Sequence, residues 1–205
     1  MSRPAANLPP ASLRPDLALI AGHVAPGSRV LDVGCGDGAL LQALRDERGC
    51  NVHGMEIDPA NVAECVEKGL SVIQGDADKD LAFYPDDAFD YAILSQTLQT
   101  TMRPDKVMEE LLRIGRRAFV SFPNFAHWRV RLSLLWRGQM PVTRLLPVAW
   151  YETPNIHHLT VADFRAFVTQ RGIRVEDAWY LSGDRLRGTS VANFRAEHAI
   201  FLLSR

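Results

Sequence analysis

The stretch that decides the fold reads R-V-L-D-V-G-C-G-D-G and runs from Arg29 to Gly38. Its apolar residues at 30–33 predict a buried parallel strand, which the carboxylate Asp32 interrupts near the end. Glycines at alternate positions follow, so the backbone can turn tightly and approach a ligand without Cβ atoms in the way. Residues 39–44, A-L-L-Q-A-L, are strong helix formers with apolar side chains at helical spacing. The stretch therefore predicts the strand, glycine turn and helix of a nucleotide-binding α/β domain.

The charges around this turn indicate which nucleotide it would bind. A dinucleotide site places a pyrophosphate at the start of the helix, usually with G-x-G-x-x-G spacing. Here the spacing is G-x-G-x-G, and the carboxylates Asp32 and Asp37 flank the turn. Two anions beside a pyrophosphate would repel it in a partly desolvated site, whereas a positively charged ligand would be attracted. S-adenosylmethionine (SAM) carries an ammonium and a sulfonium and no phosphate, and the stretch resembles motif I of the class I SAM-dependent methyltransferases.

Three later strand ends carry polar residues that suit the same ligand. Glu56, in V-H-G-M-E-I-D, ends the second predicted strand, where a carboxylate can accept both ribose hydroxyls. Asp76, in Q-G-D-A, follows the third strand and can accept from the adenine amino group, and the fourth strand ends at Ser95. Any one of these residues could be a solvated strand end beside a turn that only joins a strand to a helix. Their order and spacing instead favour one ligand site.

The alternation of predicted strands and helices sets the fold class. It predicts a Rossmann-like α/β fold, with a seven-stranded, mainly parallel sheet and helices on both faces. Residues 173–180 and 198–203 form two strand patterns without a helix between them, which predicts one antiparallel strand at an edge of the sheet. Asp58 before Pro59 predicts a capped helix start, and T-V-A-D at 160–163 resembles a capping box.

Composition bounds the class of protein. A chain of 205 residues with 47% hydrophobic residues suits a single domain over residues 1–205, with a loose proline-rich tail at 1–12. The net charge of −1 and the pI near 6.6 provide no global field for nucleic acid or membrane. Without a signal-peptide pattern or a run of 18 apolar residues, we expect a cytoplasmic protein. Cys35, Cys50 and Cys65 lack C-x-x-C spacing, and we expect small buried residues rather than a disulfide or a zinc site.

The most individual segment, residues 124–160, is predicted to be an insertion that forms a lid or a partner-docking surface. Its first half carries apolar side chains at helical spacing, which predicts a stripe with the members Phe125, Trp128, Leu132, Leu135 and Trp136. Seven arginines and no acidic residue lie between Arg113 and Arg144. The default interpretation is a solvated basic face, and the alternative is a docking surface for an acidic partner. The candidate docking residues are Trp128, Arg129, Arg131, Trp136, Arg137 and Arg144.

The second half of this segment, rich in proline and aromatic residues, predicts an ordered excursion over the carboxyl ends of the strands. The candidate proton acceptors are His127, Tyr151 and His157. The adjacent histidines at 157–158 lack nearby cysteines or a matching carboxylate, so no metal site is expected. Residues 95–98, S-Q-T-L, stand where methyltransferases of exocyclic amines often carry Asn/Asp-Pro-Pro-Tyr, which disfavours an amine acceptor.

A closer resemblance covers the chain from about Leu13 to the carboxyl terminus. The segments S-F-P-N-F-A-H-W-R-V-R and W-Y-E-T-P-N-I-H-H-L-T, together with the glycine motif, are similar to those of the MetW family of bacterial methionine biosynthesis. The resemblance implies a SAM-methyltransferase-like fold, a role in methionine biosynthesis and cooperation with a MetX-type homoserine O-acyltransferase. The expected ligand is SAM or S-adenosylhomocysteine. Its expected contacts are Asp32, Gly34, Cys35, Gly36, Glu56, Ile57, Asp76, Ala77 and Ser95.

Two functions of different classes remain open on the sequence. In the first, the chain is an accessory protein that binds the acyltransferase through residues 128–144 and carries SAM as a reporter of methionine supply. In the second, it is a methyltransferase that acts on a small acidic or hydroxylated metabolite, with the arginines steering an anion into the cleft. A complete ligand motif beside an undistinguished set of catalytic residues favours the first function.

Overall fold

The computed structural model describes residues 13–143 and 146–205. The predicted loose tail at 1–12 and the candidate docking residue Arg144 lie outside the described residues. The helices are α1 (Pro15–His23), α2 (Ala39–Arg48), α3 (Pro59–Glu67), α4 (Pro104–Ile114), α5 (Trp128–Arg137), α6 (Val161–Gln170) and α7 (Ala192–Arg195). The strands are β1 (Arg29–Val33), β2 (Asn51–Glu56), β3 (Val72–Gln74), β4 (Phe89–Ser95), β5 (Gly115–Pro123), β6 (Arg174–Ser182), β7 (Arg185–Leu186) and β8 (His198–Ser204).

The strands form one sheet in the order β3-β2-β1-β4-β5-β8-β6-β7. The first five strands in this order run parallel, and β1 lies between β2 and β4. β8 runs antiparallel to both β5 and β6, and β7 runs antiparallel to β6. The predicted Rossmann-like, mainly parallel sheet is therefore confirmed, and its parallel half carries the glycine turn after β1.

The sheet differs from the prediction in two details. Eight strands pair among the described residues instead of seven, because the two-residue strand β7 folds back on β6 after a turn at Gly183. A strand of that length leaves no periodic pattern in a sequence. The antiparallel strand β8 lies between β5 and β6 and not at the edge of the sheet. The edge strand on this side is β7. The β8 residues Ala199, Ile200 and Phe201 are fully buried, as a central strand requires.

Helices cover both faces of the sheet, as predicted. Alternate residues of β1 point to opposite faces, so Leu31 and Val33 join one core cluster and Val30 joins the other. The Leu31 face packs against α4 and α6, and the Val30 face packs against α1 and α2. The carboxylate of Asp32 extends on the same face as Val30, so this charge is buried at the end of an apolar strand.

Two helix starts have the predicted caps. The Asp58 carboxylate accepts from the Ala60 N–H at 2.9 Å, at the start of α3. At the start of α6, Thr160 Oγ1 accepts from the Asp163 N–H at 3.1 Å, and Asp163 Oδ2 accepts from the Thr160 N–H at 3.0 Å. These contacts satisfy backbone groups that a helix leaves free, which is why the local pattern could predict them. The three cysteines are buried free thiols, as predicted.

The predicted apolar stripe of α5 is wrong in its second half. Leu135 and Trp136 are 75% and 77% exposed. The buried residue of the helix is Val130, which packs with Phe125 and Leu146 in a small cluster separate from the cores of the sheet. Helical spacing specified the helix, but the face that becomes buried depends on which elements cover it. The predicted role of residues 124–160 as a lid or docking surface stays a prediction.

Candidate functional site

The glycine turn after β1 presents bare backbone to one side. Gly34, Gly36 and Gly38 have φ angles of +73°, +56° and +76°, in the left-handed region that favours glycine. The Gly34 N–H donates to the Met55 carbonyl oxygen at 2.8 Å, which ties the turn to β2. A Cβ on Gly34 would lie 2.4 Å from Thr97 Oγ1, whereas a Cβ on Gly36 would meet open space. The turn is therefore packed at Gly34 and open at Gly36.

A cavity of about 400 Å³, called here the smaller cavity, lies between this turn, the start of α1 and the loop after β4. It brings together five of the predicted cofactor contacts: Asp32, Gly34, Cys35, Gly36 and Ser95. Its wall also includes Arg14, Leu17, Asp37 and Gln96. β1 and β4 are adjacent parallel strands, so their carboxyl ends open to the same edge of the sheet, where α/β proteins bind ligands.

Asp32 is the most perturbed acid of this cavity. Asp32 is 2% exposed, and its Oδ1 atom has no hydrogen-bond partner among the described residues. Burial raises the pKa of the carboxyl from 3.8 to about 7, an effect that Arg14 opposes and the charge of Glu56 reinforces. A buried carboxylate is costly until a cation or a donor pairs with it. The site can therefore accept a positively charged group.

Glu56 lies behind the glycine turn. Its Oε2 atom accepts from the Gly36 N–H at 2.7 Å, and its Oε1 atom accepts from the N–H groups of Ile57 and Asp58 at 2.9 and 3.0 Å. The carboxylate therefore holds the turn in place. Since an ionised carboxylate offers about four acceptor sites, one remains for a ligand hydroxyl. The contact to ribose stays a prediction.

Four predicted contacts do not line the smaller cavity: Glu56, Ile57, Asp76 and Ala77. Asp76 forms an ion pair with Lys79 at 2.8 Å and accepts from the Asp78 N–H at 2.9 Å. The Lys79 hydrogen bond, more than the backbone one, lowers the pKa of Asp76. Ile57 is exposed, and Ala77 packs against a core cluster. These residues follow β2 and β3 at the same edge of the sheet, beyond the glycine turn.

Sequence reasoning missed Asp16, a buried acid in the first turn of α1. Its Oδ2 atom accepts from the Ser95 hydroxyl at 3.1 Å and from Gln96 Nε2 at 3.0 Å, and it pairs with Arg14 at 3.3 Å. These bonds fix the loop after β4, in which Gln96 has a φ of +53°. The available signal was a single carboxylate at the start of an otherwise apolar helix.

A second and larger cavity of about 820 Å³ lies between α5, the described segments at 139–143 and 146–160, and the loop after β4. We call it the larger cavity. Its wall is mainly apolar and includes Phe125, Leu134, Val148 and Trp150. Gln96 lines both cavities, so the two are neighbours across the loop after β4.

The structure does not gather the candidate proton acceptors at the smaller cavity. His127 is buried, and this burial lowers its pKa. The Nε2 atom of His157 is buried without a partner among the described residues, and Tyr151 is exposed. His158 lines the larger cavity. Its ring is perpendicular to that of Phe125, and the two ring centroids are 4.6 Å apart. A catalytic role for these residues stays a prediction.

Neither a metal centre nor a membrane span is found in the part of the chain that the structure describes. Within residues 13–143 and 146–205, no group of three or more His, Cys, Asp and Glu side chains could hold a metal ion. Over the same ranges, every helix is too short or too polar to cross a bilayer.

The candidate docking residues on α5 fall into two groups. Trp136 and Arg137 are exposed, and Arg129 lies 5.3 Å from the ring centroid of the partly exposed Trp128. Arg131 differs, because its Nε donates to a carbonyl oxygen of the same chain, that of Ala126, at 2.6 Å. Arg131 is also exposed, and this bond ties it to the start of α5. The docking role of all these residues stays a prediction.

Comparison with solved structures identifies the fold. The chain is similar to a TehB-like SAM-dependent methyltransferase from Corynebacterium glutamicum, with a TM-score of 0.63 over 95% of this chain and 89% of that one. The sequence identity is 17%, so the similarity shows a class I SAM-methyltransferase fold and no more.

Two curated relatives are more similar in sequence. The chain is 33% identical over 191 residues to the bifunctional methionine biosynthesis protein MetXA/MetW of Rhodopirellula baltica, covering 87% of this chain and 31% of that protein. It is 31% identical over 159 residues to a ubiquinone biosynthesis O-methyltransferase of Xylella fastidiosa, covering 74% of this chain and 63% of that protein. The chain thus spans less than two thirds of each relative's length.

The family profile described as methionine biosynthesis protein MetW matches residues 14–203, almost the whole of the described chain. The matched range contains the glycine turn, the buried Asp32 and the segment at 124–160. The chain therefore belongs to the MetW family, and its fold is that of the class I SAM methyltransferases.

Proposed function

We propose that the smaller cavity binds SAM, with the ammonium group of the ligand at Asp32. The observation that carries this proposal is a buried carboxylate oxygen without a partner among the described residues, on the wall of a cavity. A cation there would hold Asp32 in its ionised form and offset the cost of its burial. Gly36 lies on the same wall and leaves room for close approach of a ligand to the backbone. The residues present therefore fit this cofactor.

The remaining contacts follow from the edge of the sheet on which they lie. Glu56 would accept from one ribose hydroxyl through its remaining acceptor site, and Asp76 would accept from the adenine amino group. The other residues that would surround the ligand are Gly34, Cys35, Ile57, Ala77 and Ser95. When bound, SAM supplies an activated methyl group. The chain's own part is to bind the charged end of the ligand and to exclude a pyrophosphate through Asp32 and Asp37.

We further propose that the chain acts with a MetX-type homoserine O-acyltransferase. The name of the Rhodopirellula baltica relative joins MetXA and MetW in one polypeptide. Fusion keeps two units at a high effective concentration, which suits parts that work together. On this chain the proposed contact surface is the α5 patch, defined as Trp128, Arg129, Leu135, Trp136 and Arg137. Exposed tryptophan and arginine are the residue types that contribute most to interface energies.

SAM would then act as a regulatory ligand of the assembly. The proposed effect requires that SAM bind with different affinity to the chain when the acyltransferase is active and when it is not. By linkage, if SAM changes the affinity of the chain for the acyltransferase by a given factor, the acyltransferase changes the affinity of the chain for SAM by the same factor. This reciprocity makes the regulatory role measurable from either side.

The partner proposal is tested with purified proteins. Homoserine acylation is measured with and without this chain and with and without SAM, and affinity is measured by calorimetry. Trp136→Ala should weaken association by about tenfold, the effect of losing a central interface residue. Phe83→Ala is the matched control, because Phe83 is an equally exposed aromatic residue outside residues 124–160. Unchanged acylation in the presence of the chain, together with no measurable association, would contradict the proposal.

A second candidate function is methyl transfer to a small acceptor. It is favoured by the larger cavity, which adjoins the smaller one at Gln96, and by the similarity to an O-methyltransferase. A hydroxyl or carboxylate acceptor needs mainly proximity and a desolvated cleft, so it does not require one of the candidate bases. Incubation of the chain with methyl-labelled SAM and cell extracts should yield a labelled product. Absence of labelled product across extracts would count against this function.

A further inference from the structure

We infer that the larger cavity is a second ligand site, which takes a mainly apolar, uncharged small molecule with one hydrogen-bond donor. This inference goes beyond the proposed function, because it requires neither SAM nor the acyltransferase. At about 820 Å³, the cavity falls within the range of about 300–1,000 Å³ that is typical of small-molecule sites. It is separated from the charged smaller cavity by the loop that contains Gln96.

The described lining residues of the larger cavity disfavour charged ligands. Among the described residues that line it there is no Asp, Glu, Lys or Arg side chain. Its apolar surface comes from residues such as Phe125, Val130, Leu134, Val148 and Trp150. An ionised ligand would lose its hydration there, and His158 is the only titratable side chain among the described lining residues.

The side chain of Gln99 on this wall has a fixed orientation and one acceptor atom without a partner among the described residues. Gln99 is 4% exposed, and its Nε2 donates to the Gln96 carbonyl oxygen at 2.6 Å. Because a carbonyl can only accept, this bond determines which end of the amide is the nitrogen. The Oε1 atom is left buried without a hydrogen-bond partner among the described residues. A buried acceptor of this kind is satisfied by a donor, and a ligand hydroxyl or N–H supplies one.

The backbone around Gln99 connects this acceptor to the apolar wall. The Gln99 carbonyl oxygen accepts from the N–H groups of Ile156 and His157 at 2.9 and 3.0 Å. These bonds attach the segment at 139–160 to the loop after β4. The acceptor and the wall are therefore held in one arrangement before a ligand binds, which lowers the entropic cost of binding.

Two probes that differ by one methyl group on the phenol oxygen test the hydrogen bond. 4-Hexylphenol carries a donor hydroxyl, and 4-hexylanisole replaces that hydroxyl with a methoxy group. Calorimetric titration of the whole chain should show saturable binding of the phenol, about fivefold tighter than the ether, the effect of one neutral hydrogen bond. Gln99→Met keeps the length of the side chain and removes the acceptor, so it should abolish this preference. Equal affinity for phenol and ether in the unmodified chain would overturn the role of Gln99.

Two neighbouring residues of α5 test the location. Leu134 lines the larger cavity, whereas Leu135 does not line it and is exposed. Leu134→Trp should narrow the cavity and weaken phenol binding about tenfold, and Leu135→Trp should leave the phenol affinity within about twofold. Thermal unfolding checks that both variants fold. Absence of saturable phenol binding, or equal weakening in the two variants, would overturn the site. A separate titration with S-adenosylhomocysteine tests the smaller cavity, so the two proposals fail independently.

Discussion

The two cavities adjoin the same loop but differ in the elements that form them and in the chemistry of their walls. The smaller cavity is formed by strand ends and a glycine turn, and its unsatisfied group is the buried acid Asp32. The larger cavity is lined by proline and aromatic residues, and the amide oxygen of Gln99 on its wall has no hydrogen-bond partner among the described residues. A charged acceptor selects a cation, whereas a neutral acceptor in an apolar wall selects an uncharged donor. One edge of a sheet can therefore support two distinct binding chemistries.

The largest predicted change in SAM affinity comes from blocking the smaller cavity at Gly36. Gly36→Val places bulk where the backbone must approach the ligand, and we expect the SAM affinity to fall by more than about 3 kcal/mol. Gly49→Val is the matched control, because Gly49 also has a positive φ and open space around its Cβ position but lies at the end of α2. Both variants place a β-branched residue at a positive φ. Equal SAM binding by the two variants would remove the assignment of the smaller cavity, and phenol binding should be unchanged in both.

The next largest effect should come from Asp32→Asn. Loss of the charge should lower the SAM affinity by about 2 to 3 kcal/mol, the range for a charged hydrogen bond. The same change should stabilise the free protein. The folded pKa of Asp32 is raised to about 7, so the unmodified protein loses stability as the pH rises from about 4 to about 7.

The stability of the Asp32→Asn variant separates a binding role from a structural one. Its free energy of unfolding at pH 7.5, measured with urea, should exceed that of the unmodified protein by up to about 4 kcal/mol, and the difference should vanish near pH 4. Asp37→Asn is the control, since Asp37 also lines the cavity but is exposed to solvent. If the Asp32→Asn variant is less stable than the unmodified protein and binds SAM with unchanged affinity, our interpretation of Asp32 is contradicted.

Glu56→Ala should have an intermediate effect. Its removal takes away the acceptor for the Gly36 N–H and the proposed ribose contact, and we expect a loss of about 1 to 3 kcal/mol in SAM affinity by calorimetry. Asp90→Ala is a suitable control, because Asp90 also accepts a backbone N–H, that of Arg29 at 2.9 Å, at the opposite end of β1. If the Glu56 variant binds SAM as tightly as the Asp90 variant, Glu56 serves only to support the turn.

The smallest predicted effect is a pH dependence of SAM binding. Below pH 7 a large fraction of Asp32 is protonated, and binding of a cation must release this proton. The affinity should therefore be about tenfold weaker at pH 5.5 than at pH 7.5. The Asp32→Asn variant should lose most of this dependence. A dependence that persists in the variant would place the titrating group elsewhere.

Much of the fold could be predicted because its signals are local. The glycines after β1 and the caps at Asp58 and Thr160 act on backbone groups within a few residues of themselves. The parallel sheet followed from the alternation of strand and helix patterns. The predicted cofactor contacts on β1 and β4 meet in one cavity because those strands are neighbours, which the fold class already implies.

Other features could not be predicted because they depend on packing between distant segments. Asp16 meets Ser95 and Gln96 only when α1 lies against the end of β4. The stripe on α5 was predicted from its spacing, yet Val130 became the buried residue and Leu135 remained exposed. Periodicity specifies a helix and its possible faces, but the choice among them is made by the elements that cover it.

The sequence by itself determined the strand, glycine turn and helix that begin the fold, and the acids that follow the first three strands. These features rest on backbone conformations and short periodicities, which a few neighbouring residues specify. Only the tertiary structure decided that Asp32 is buried without a partner among the described residues and that the loop at Gln96 separates a charged cavity from an apolar one. Burial and hydrogen-bond satisfaction depend on which distant residues pack together, and no local pattern contains that information.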